Sequence, residues 1–282
     1  MILVGTSGWS YDDWVGEFYP QGLGKDKWLE YYARFFHTVE INSTYYSFPA
    51  PALVQGWIAR ASKMKSFEYS LKLPRLVTHD SLLLDIGRAL DFEAKVLAPL
   101  RDAGCLGATL IQLSPYLIFS EAGHLDRLRA LLERLDASKF DYAVEFRHRS
   151  WLENGGLVPE AKKLLTGRGV AACVVDGPSM PPVVENTARH SYVRFHGHNE
   201  DIWYKKDSKD ARMSRYDYDY GKIELVPWKE RLEPLTAGTV RAYFNNHPHA
   251  SSVKNAKLFE SLMGVDGTPL KLEKQSDLSS YF

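Results

Sequence analysis

Eight short runs of strand character recur along the chain, and nearly all of them end in polar residues. Segments with helical patterns separate most of these runs, which is typical of βα units that build a parallel sheet. Eight such units in about 250 residues predict a (β/α)8 TIM barrel with eight parallel strands, whose active site would lie at the carboxyl ends of the strands. The runs are ILVGTSGW from Ile2, TVEINSTYY from Thr38, FEYSLKLP from Phe67, LGATLIQLSP from Leu106, YAVEFRHRSW from Tyr142, VAACVVDG from Val170, SYVRFHGH from Ser191 and TVRAYFNNH from Thr239.

Two connections depart from the regular pattern. Segment 177–189, between strands six and seven, is short and rich in proline, so we expect its helix to be short or missing. Segment 199–238, between strands seven and eight, is a long insertion with a polar, tyrosine-rich first half. It is either a lid or substrate-binding element on the catalytic face, or a solvated loop that only closes the barrel. Elsewhere, Pro51 and Ser120 are expected at the starts of helices.

The composition is that of a globular protein. The 282 residues are 45% hydrophobic and 25% charged, so we expect one domain over residues 1–282 with a short tail from about 265. Lys plus Arg and Asp plus Glu number 35 each, so no net charge draws the chain towards nucleic acid or a membrane. Cys105 and Cys173 lack metal-ligand spacing, which indicates reduced core thiols. Because neither a signal peptide nor a membrane span is evident, we expect a cytoplasmic protein.

Polar residues at the strand ends form the main functional signal. Residues two positions apart in a strand face the same side, and charged groups are costly to bury among apolar residues unless they are paired. Their recurrence at one end of the barrel predicts a ring that binds a polar ligand and tunes the pKa of an acid or base. The alternative is an ion-pair network that closes the barrel mouth. The ring consists of Glu40, Asn42, Lys72, Gln112, Glu145, Arg147, Asp176, Arg194, His196, Asn245 and Asn246.

Catalytic roles are expected for four of these residues. Glu145 is the expected general acid or base, with Glu40 or Asp176 as the second carboxylate. Lys72 is either a nucleophile that forms a Schiff base, if desolvation lowers its pKa, or a cationic partner of a glutamate. The residues expected to contact the ligand are Asn42, Arg147, His148, Arg194, His196, Asn245, Asn246, Trp9 and Tyr46.

Histidines raise the alternative of a metal site. His196 and His198 are two apart at a strand end, and others are available to complete a coordination shell. Stronger zinc signatures are missing, as are a P-loop and a dinucleotide-binding motif. We therefore expect no cofactor, with a bound divalent metal as the lesser alternative.

Aromatic residues are concentrated in the loop after the first strand. Trp9, Tyr11, Trp14 and Tyr19 either stack on a sugar ring or nucleobase, or pack against one another. The stretch 203–215 of the insertion carries a mild basic excess, which is too small to indicate nucleic-acid binding by itself.

Seven motifs in order resemble the YecE-like family, also called domain of unknown function 72, over essentially the whole chain. The resemblance implies a TIM barrel of bacterial or archaeal cytoplasmic type with no established reaction. DNA-repair endonucleases share this fold, but their dense His, Asp and Glu cluster for zinc ions is not repeated here. The motifs are GTSGWSYDDW from Gly5, FYP from Phe18, EINSTYYSFP from Glu40, LKLPRLVTH from Leu71, AVEFRHRSW from Ala143, YVRFHG from Tyr192 and YFNNHPHASSVKNA from Tyr243.

Three functions are compatible with these features. The leading hypothesis is an enzyme that acts by acid–base chemistry on a small polar ligand, polyhydroxylated or phosphorylated. The first alternative is a nucleic-acid-binding or repair-like hydrolase, whose affinity for oligonucleotides would fall with salt and depend on Lys205 and Lys206. The second is a non-catalytic ligand sensor or partner protein on a barrel scaffold. No membrane partner is expected.

Overall fold

The computed structural model describes residues 1–203, 214–265, 268 and 270. Eight parallel strands form a nearly closed barrel with helices between them, which confirms the predicted (β/α)8 architecture. The strands are β1 (Ile2–Thr6), β2 (Thr38–Ile41), β3 (Glu68–Lys72), β4 (Leu106–Gln112), β5 (Asp141–Glu145), β8 (Ala171–Asp176), β9 (His190–Phe195) and β10 (Thr239–Phe244), with a separate hairpin of β6 (Leu152–Glu153) and β7 (Gly156–Leu157). Barrel strands that follow one another along the chain are neighbours in space.

Helices lie between most of the strands. The helix predicted at Pro51 is confirmed, with the proline in its first turn. The helix predicted from Ser120 begins instead at His124, because Gly123 adopts a left-handed conformation (φ 86°) immediately before it. Segment 177–189 contains no helix, as expected. The helices are α1 (Trp28–Tyr32), α2 (Ser43–Tyr46), α3 (Pro51–Ala61), α4 (Ile86–Phe92), α5 (Ala98–Asp102), α6 (His124–Arg134), α7 (Pro159–Arg168), α8 (Glu200–Trp203), α9 (Lys222–Leu225), α10 (Trp228–Leu232) and α11 (Ser251–Met263).

Short turns of other helix types complete the connections. The 3-10 turns are Asp12–Trp14, Lys25–Lys27, Arg149–Trp151, Glu233–Leu235 and Pro248–Ala250, and the π turns are Leu76–Asp80 and Glu93–Leu97. Within the described ranges, no helix has both the length and the apolar character that crossing a membrane requires.

The insertion between β9 and β10 is described at both of its ends. Asn199 joins them, because its Nδ2 donates to the carbonyl oxygen of Ser214 at 2.8 Å and to that of Asp217 at 2.7 Å. Residues 204–213, which hold most of the expected basic stretch, lie outside the described residues. Most of the expected tail from about 265 lies outside them too.

The barrel closes between β1 and β2. At the carboxyl ends, the backbone N–H of Gly8 donates to the carbonyl oxygen of Glu40 at 2.8 Å. Further down, the hydroxyl of Tyr32 lies between the two strands. It accepts a hydrogen bond from the backbone N–H of Thr6 at 2.9 Å and donates to the carbonyl oxygen of Thr38 at 3.1 Å. The Tyr32 hydroxyl therefore provides a hydrogen-bond partner for two buried backbone groups, the N–H of Thr6 and the carbonyl of Thr38.

Replacing Tyr32 with phenylalanine is expected to lower the free energy of unfolding by about 1–3 kcal/mol, because the polar backbone groups of Thr6 and Thr38 lose a buried partner. Urea unfolding measures the loss. Tyr116→Phe is the matched control, because Tyr116 is 76% exposed. Equal stability of the two variants would contradict the bridging role.

The barrel interior is polar at both ends and apolar between them. At the amino-terminal end, Arg241 donates to Glu68 at 2.7 Å and to Asp141 at 3.1 Å, an ion-pair cluster on the face that serves stability in TIM barrels. The apolar centre consists of Ala108, Leu110, Ala143, Ala171, Cys173, Val175, Tyr192 and Tyr243. The opposite end holds the residues described next.

Candidate functional site

Arg194 lies inside the carboxyl end of the barrel and binds two carboxylates. It is 2% exposed, on the inner face of β9. Its Nε and Nη2 donate to the Oε2 and Oε1 of Glu40 at 2.9 and 2.8 Å, which is a bidentate pair. Its Nη1 donates to Oε2 of Glu145 at 2.7 Å. One guanidinium group therefore connects β2, β5 and β9 across the barrel.

Each carboxylate receives further hydrogen bonds from other side chains inside the barrel. The hydroxyls of Ser7 and Tyr192 both donate to Glu40 at 2.7 Å, and Nε2 of Gln112 donates to Glu145 at 2.7 Å. Both carboxylates are fully buried. A buried charge with this many donors is satisfied and held in one position.

The two glutamates are ionised at neutral pH. Burial disfavours their charged forms, but the charge and hydrogen bonds of Arg194 outweigh it and lower the pKa of Glu40. For Glu145, burial is the largest single influence and raises the pKa, but the charge of Arg194 together with those of neighbouring cationic groups lowers it to about 2. A carboxyl group with such a pKa has no proton to donate at neutral pH, so the geometry disfavours Glu145 as a general acid.

Lys72 is buried without an acidic partner in the part of the chain that the structure describes. It ends β3, is 8% exposed, and holds Nζ 4.0 Å from the centre of the Tyr45 ring, a cation–π contact. Among the described residues no carboxylate lies within 4.0 Å of Nζ, because Arg194 is the partner of both glutamates. Burial, followed by the positive charge of Arg194, lowers the pKa of Lys72 to about 7, against the attraction of Glu145 and Glu40.

Two aromatic residues lie next to Lys72 in order of contact: Tyr45 packs on Lys72, and His79 packs on Tyr45. Neither of them was identified from the sequence as a site residue. Tyr45 lies in α2, and the ring of His79 stands almost perpendicular to it, with the two centres 5.1 Å apart. Burial, with the charges of Lys72 and Arg147, lowers the pKa of His79 to about 4. Its imidazole is therefore neutral at neutral pH.

Asp176 belongs to a separate group of side chains. Its Oδ2 accepts hydrogen bonds from the hydroxyl of Tyr220 at 2.7 Å and from Nε2 of His198 at 3.0 Å. The bond to Asp176 raises the pKa of His198. Because Tyr220 lies in the second described part of the insertion, this group joins β8 to the insertion rather than to Arg194.

Asn245 and Asn246, which directly follow β10, have different hydrogen-bond partners. Nδ2 of Asn245 lies 3.0 Å from Nδ1 of His196, whose Nε2 lies 3.4 Å from Arg194. Burial and the charge of Arg194 hold the pKa of His196 well below its usual range. Asn246 instead donates to Asn255 at 2.7 Å, in the packing between β10 and α11. Asn245 is thus part of the barrel mouth, whereas Asn246 supports the outer layer.

The two histidines predicted as candidate metal ligands bind different partners. β9 ends at Phe195, and Gly197 adopts a left-handed conformation (φ 85°), so the two-residue alternation does not extend to His198. His196 contacts Asn245, whereas His198 contacts Asp176. In the parts of the chain that the structure describes, no three His, Cys, Asp or Glu side chains are grouped as a metal site requires.

The outer part of the mouth is partly accessible. The side chain of Arg147 is 27% exposed, with Nη1 3.8 Å from Oε1 of Glu145. Asn42 is half-buried, and Tyr46 is exposed. His148 caps a 3-10 turn, because its Nδ1 accepts a backbone N–H at 3.1 Å. Of these four side chains, Arg147 is the one connected to the buried charges.

The aromatic rings of the loop after β1 pack against one another and against neighbouring elements. Tyr19 stacks on Trp28 with ring centres 4.7 Å apart, and Tyr11 stacks on His247 at 4.5 Å. Trp9 remains half-buried at the edge of this packing. The structure therefore uses most of these rings as core, which was one of the two expectations from the sequence.

Comparisons with known proteins identify the family. The family described as "Protein of unknown function DUF72" matches residues 3–278. The chain belongs to the DUF72 family. This confirms the resemblance to YecE-like proteins: UPF0759 protein YecE of Escherichia coli (strain K12) is 30% identical over 256 residues, covering 83% of this chain and 84% of that one. UPF0759 protein YunF of Bacillus subtilis is 26% identical over 291 residues, covering 99% of this chain and 100% of that one.

Solved structures of DUF72 proteins share the architecture. A crystal structure from Thermotoga maritima is 29% identical, with a TM-score of 0.78 over 94% of this chain and 99% of that one. One from Enterococcus faecalis, at 21% identity and a TM-score of 0.75, covers 98% of this chain and 100% of that one, and shows the same fold. The family description names no reaction, so the chemistry has to be argued from the side chains.

Proposed function

We propose that the protein is an enzyme that binds a small anionic ligand, phosphorylated or carboxylated, at the carboxyl end of the barrel and transfers protons through Lys72. The observation that carries this proposal is the position of the Lys72 ammonium group, buried yet apart from every described carboxylate, while Arg194 neutralises both Glu40 and Glu145. Burying a charge without a partner costs free energy, so such groups occur mainly at functional sites. A pKa of about 7 lets Lys72 gain and lose a proton at neutral pH.

The charges at the mouth favour an anionic ligand. Three cations, Lys72, Arg147 and Arg194, stand against the carboxylates of Glu40 and Glu145, which leaves one positive charge when Lys72 is protonated. Arg147 is the accessible member of this set, and guanidinium groups bind phosphate and carboxylate through paired hydrogen bonds. Its position beside the buried charges supports a role in holding the anionic group of the ligand.

The roles proposed for the other residues follow from their partners. Glu40 and Glu145 hold Arg194 and moderate the charge that Lys72 experiences, so they act as positioning residues rather than as proton donors. Asn42 and Asn245 are proposed to bind hydroxyl groups of the ligand. Polyhydroxylated anions such as sugar phosphates would use both kinds of contact.

The two alternative functions would depend on different parts of the protein. A nucleic-acid-binding role would depend on Lys205 and Lys206, which lie outside the described residues. A non-catalytic sensor would use the same mouth and bind its ligand without turnover. The nucleic-acid alternative does not account for a lysine kept apart from the described carboxylates inside the barrel, whereas the sensor differs from the proposed enzyme by its lack of turnover.

Thermal unfolding against a panel of sugar phosphates, short carboxylates and oligonucleotides tests the proposal. A small anion at about one hundred times its Kd should stabilise the native state by about 2.7 kcal/mol. Arg147→Ala should remove this stabilisation, because it deletes the accessible cation. Arg168→Ala is the control, since Arg168 pairs with Glu133 on the outer helices.

Each pattern of results decides between the functions. A shift with small anions that Arg147→Ala abolishes and Arg168→Ala retains would support the proposal. A shift only with oligonucleotides would favour the nucleic-acid alternative, and no shift with any small anion would contradict the proposal. Turnover of a stabilising ligand then separates an enzyme from a sensor.

A further inference from the structure

We propose that Lys72 forms an imine with the carbonyl carbon of an anionic aldehyde or ketone, a step that rests on the proposed function and names its substrate class. Lys72 is the last residue of β3, so a rigid strand presents its amine to the mouth of the barrel. The face of the Tyr45 ring covers one side of Nζ at 4.0 Å. The side chain is therefore held in place, and the nitrogen approaches a ligand from the side that the ring leaves open.

The neighbours of Lys72 favour a nucleophile over a simple counter-ion. A lysine that only balances charge lies against a carboxylate, but in the described part of the chain the two buried glutamates are bound by Arg194. Burial and the charges of Arg194 and Arg147 hold the pKa of Lys72 near 7, so a substantial fraction of the amine is neutral at neutral pH. The nitrogen lone pair of that fraction is available for attack.

The anionic group of the substrate is assigned to Arg147. This guanidinium is 27% exposed and stands 3.8 Å from Glu145, at the edge of the buried cluster that also surrounds Lys72. A ligand held there by a phosphate or carboxylate brings a carbonyl group to Lys72 only if the two groups are close together in the molecule. The substrate class is accordingly a small oxo acid or a small phosphorylated aldehyde or ketone.

The covalent step balances without any further reactant. The neutral Nζ attacks the carbonyl carbon, a C–N bond forms, and the electron pair of the C=O π bond moves to the oxygen, which takes a proton. The resulting carbinolamine loses its hydroxyl group as water, and the nitrogen lone pair forms the C=N bond. Counted from the ammonium form, two protons of Nζ leave with the carbonyl oxygen as one water, and the product is a protonated imine. No oxidant or reductant is needed.

Reduction with borohydride tests this step, because hydride converts an imine into a stable secondary amine. The full-length protein is incubated at pH 7 with pyruvate, glycolaldehyde phosphate or dihydroxyacetone phosphate, then reduced, digested and analysed by mass spectrometry. We expect one adduct, on the peptide that contains Lys72. Lys72→Arg should abolish it, whereas Lys163→Arg, a change on the exposed surface of α7, should leave it unchanged.

A separate measurement tests whether Arg147 binds the anionic group of the substrate. Arg147→Ala should reduce trapping of dihydroxyacetone phosphate by roughly tenfold or more, because one charge-assisted interaction is lost. Trapping of uncharged dihydroxyacetone should change little. Equal losses for the two probes would overturn the assignment of Arg147.

The outcomes separate this inference from the proposed function. Adducts spread over surface lysines and unchanged in Lys72→Arg would overturn the imine, as would no adduct with any of the three probes. If small anions still stabilise the protein through Arg147 in that case, the proposed function stands and only the covalent step is wrong. If neither stabilisation nor an adduct is seen, both proposals are wrong.

Discussion

Replacing Arg194 with methionine is expected to lower the free energy of unfolding by about 3–5 kcal/mol, because it leaves two carboxylates buried without their cation. Glu40 and Glu145 are both fully buried, and Arg194 supplies three of their hydrogen bonds. Methionine retains much of the apolar volume of the arginine stem, so the loss reports the charge rather than a cavity. Urea unfolding at pH 7 measures it.

A triple variant serves as the control for this prediction. When Arg194→Met is combined with Glu40→Gln and Glu145→Gln, neither buried carboxylate is left without its cation, and most of the stability lost in the single variant should return. A buried ion cluster replaced as a whole by neutral groups is often no less stable than the original. A single variant that loses less than about 1 kcal/mol would show that the carboxylates find other partners.

The ion-pair cluster of Arg194, Glu40 and Glu145 also predicts how the free energy of unfolding changes at acidic pH. The folded-state pKa of Glu145, about 2, lies below its ordinary value of 4.5. Its contribution is therefore fully present above pH 4.5 and is lost as the pH falls from 4.5 towards 2. The pKa of Glu40 is lowered as well and acts in the same direction. In the triple variant, with neither carboxylate present, this part of the acid destabilisation should be missing.

The barrel could be predicted from the sequence because its signals are local. Eight apolar runs with helical patterns between them identify the strands wherever they occur along the chain. Each strand in the structure begins within about one residue of its predicted run, but ends before the run does. The local sequence pattern gave the wrong start for one helix, because the conformation of a single turn determines where that helix begins. Ser120 has the chemistry of a helix cap, yet the left-handed turn at Gly123 delays the helix to His124.

The candidate site could be predicted only in part, for a physical reason. Alternation along a strand shows which side chains enter the barrel, and it placed Lys72, Glu145 and Arg194 there correctly. Alternation does not show which of them meet, since that depends on distances between strands far apart in sequence. The pairing of Arg194 with both glutamates, which leaves Lys72 without an acidic partner among the described residues, is such a long-range outcome.

Three further residues of the site were not identified from the sequence. The strand pattern already indicated the position of one of them, and no pattern indicated the other two. Tyr192 lies two residues before Arg194 on β9, so the same alternation already indicates that it faces the barrel interior, where its hydroxyl donates to Glu40. Tyr45 and His79 lie instead in a short helix and a π turn after their strands. No periodic pattern reports the direction of side chains in such turns, so the contact of Tyr45 with Lys72 and that of His79 with Tyr45 could not have been foreseen.

Replacing Lys72 with methionine is expected to stabilise the protein while it abolishes turnover. Unfolded lysine keeps its proton up to a pKa of 10.5, whereas burial and Arg194 bring the folded-state pKa down to about 7. Below pH 7 the fold therefore carries a buried ammonium that costs free energy, and the variant should be more stable by roughly 2–4 kcal/mol at pH 6.

The pH dependence distinguishes this cause from improved packing. Between pH 7 and 10.5 the unfolded chain binds one more proton at Lys72 than the folded one, so wild-type stability rises with pH and the advantage of Lys72→Met should shrink. The pKa values of Glu40 and Glu145 are lowered from 4.5 and that of Arg194 is raised above 12.5, so these three neighbours keep their charges between pH 7 and 10.5. Lys163→Met, on the exposed surface of α7, should show no such trend. A destabilised Lys72→Met at both pH 6 and pH 10 would instead mean that the lysine supports the fold. A gain in stability combined with a loss of turnover is the result that only a functional lysine gives, because a residue kept for the fold does not weaken it.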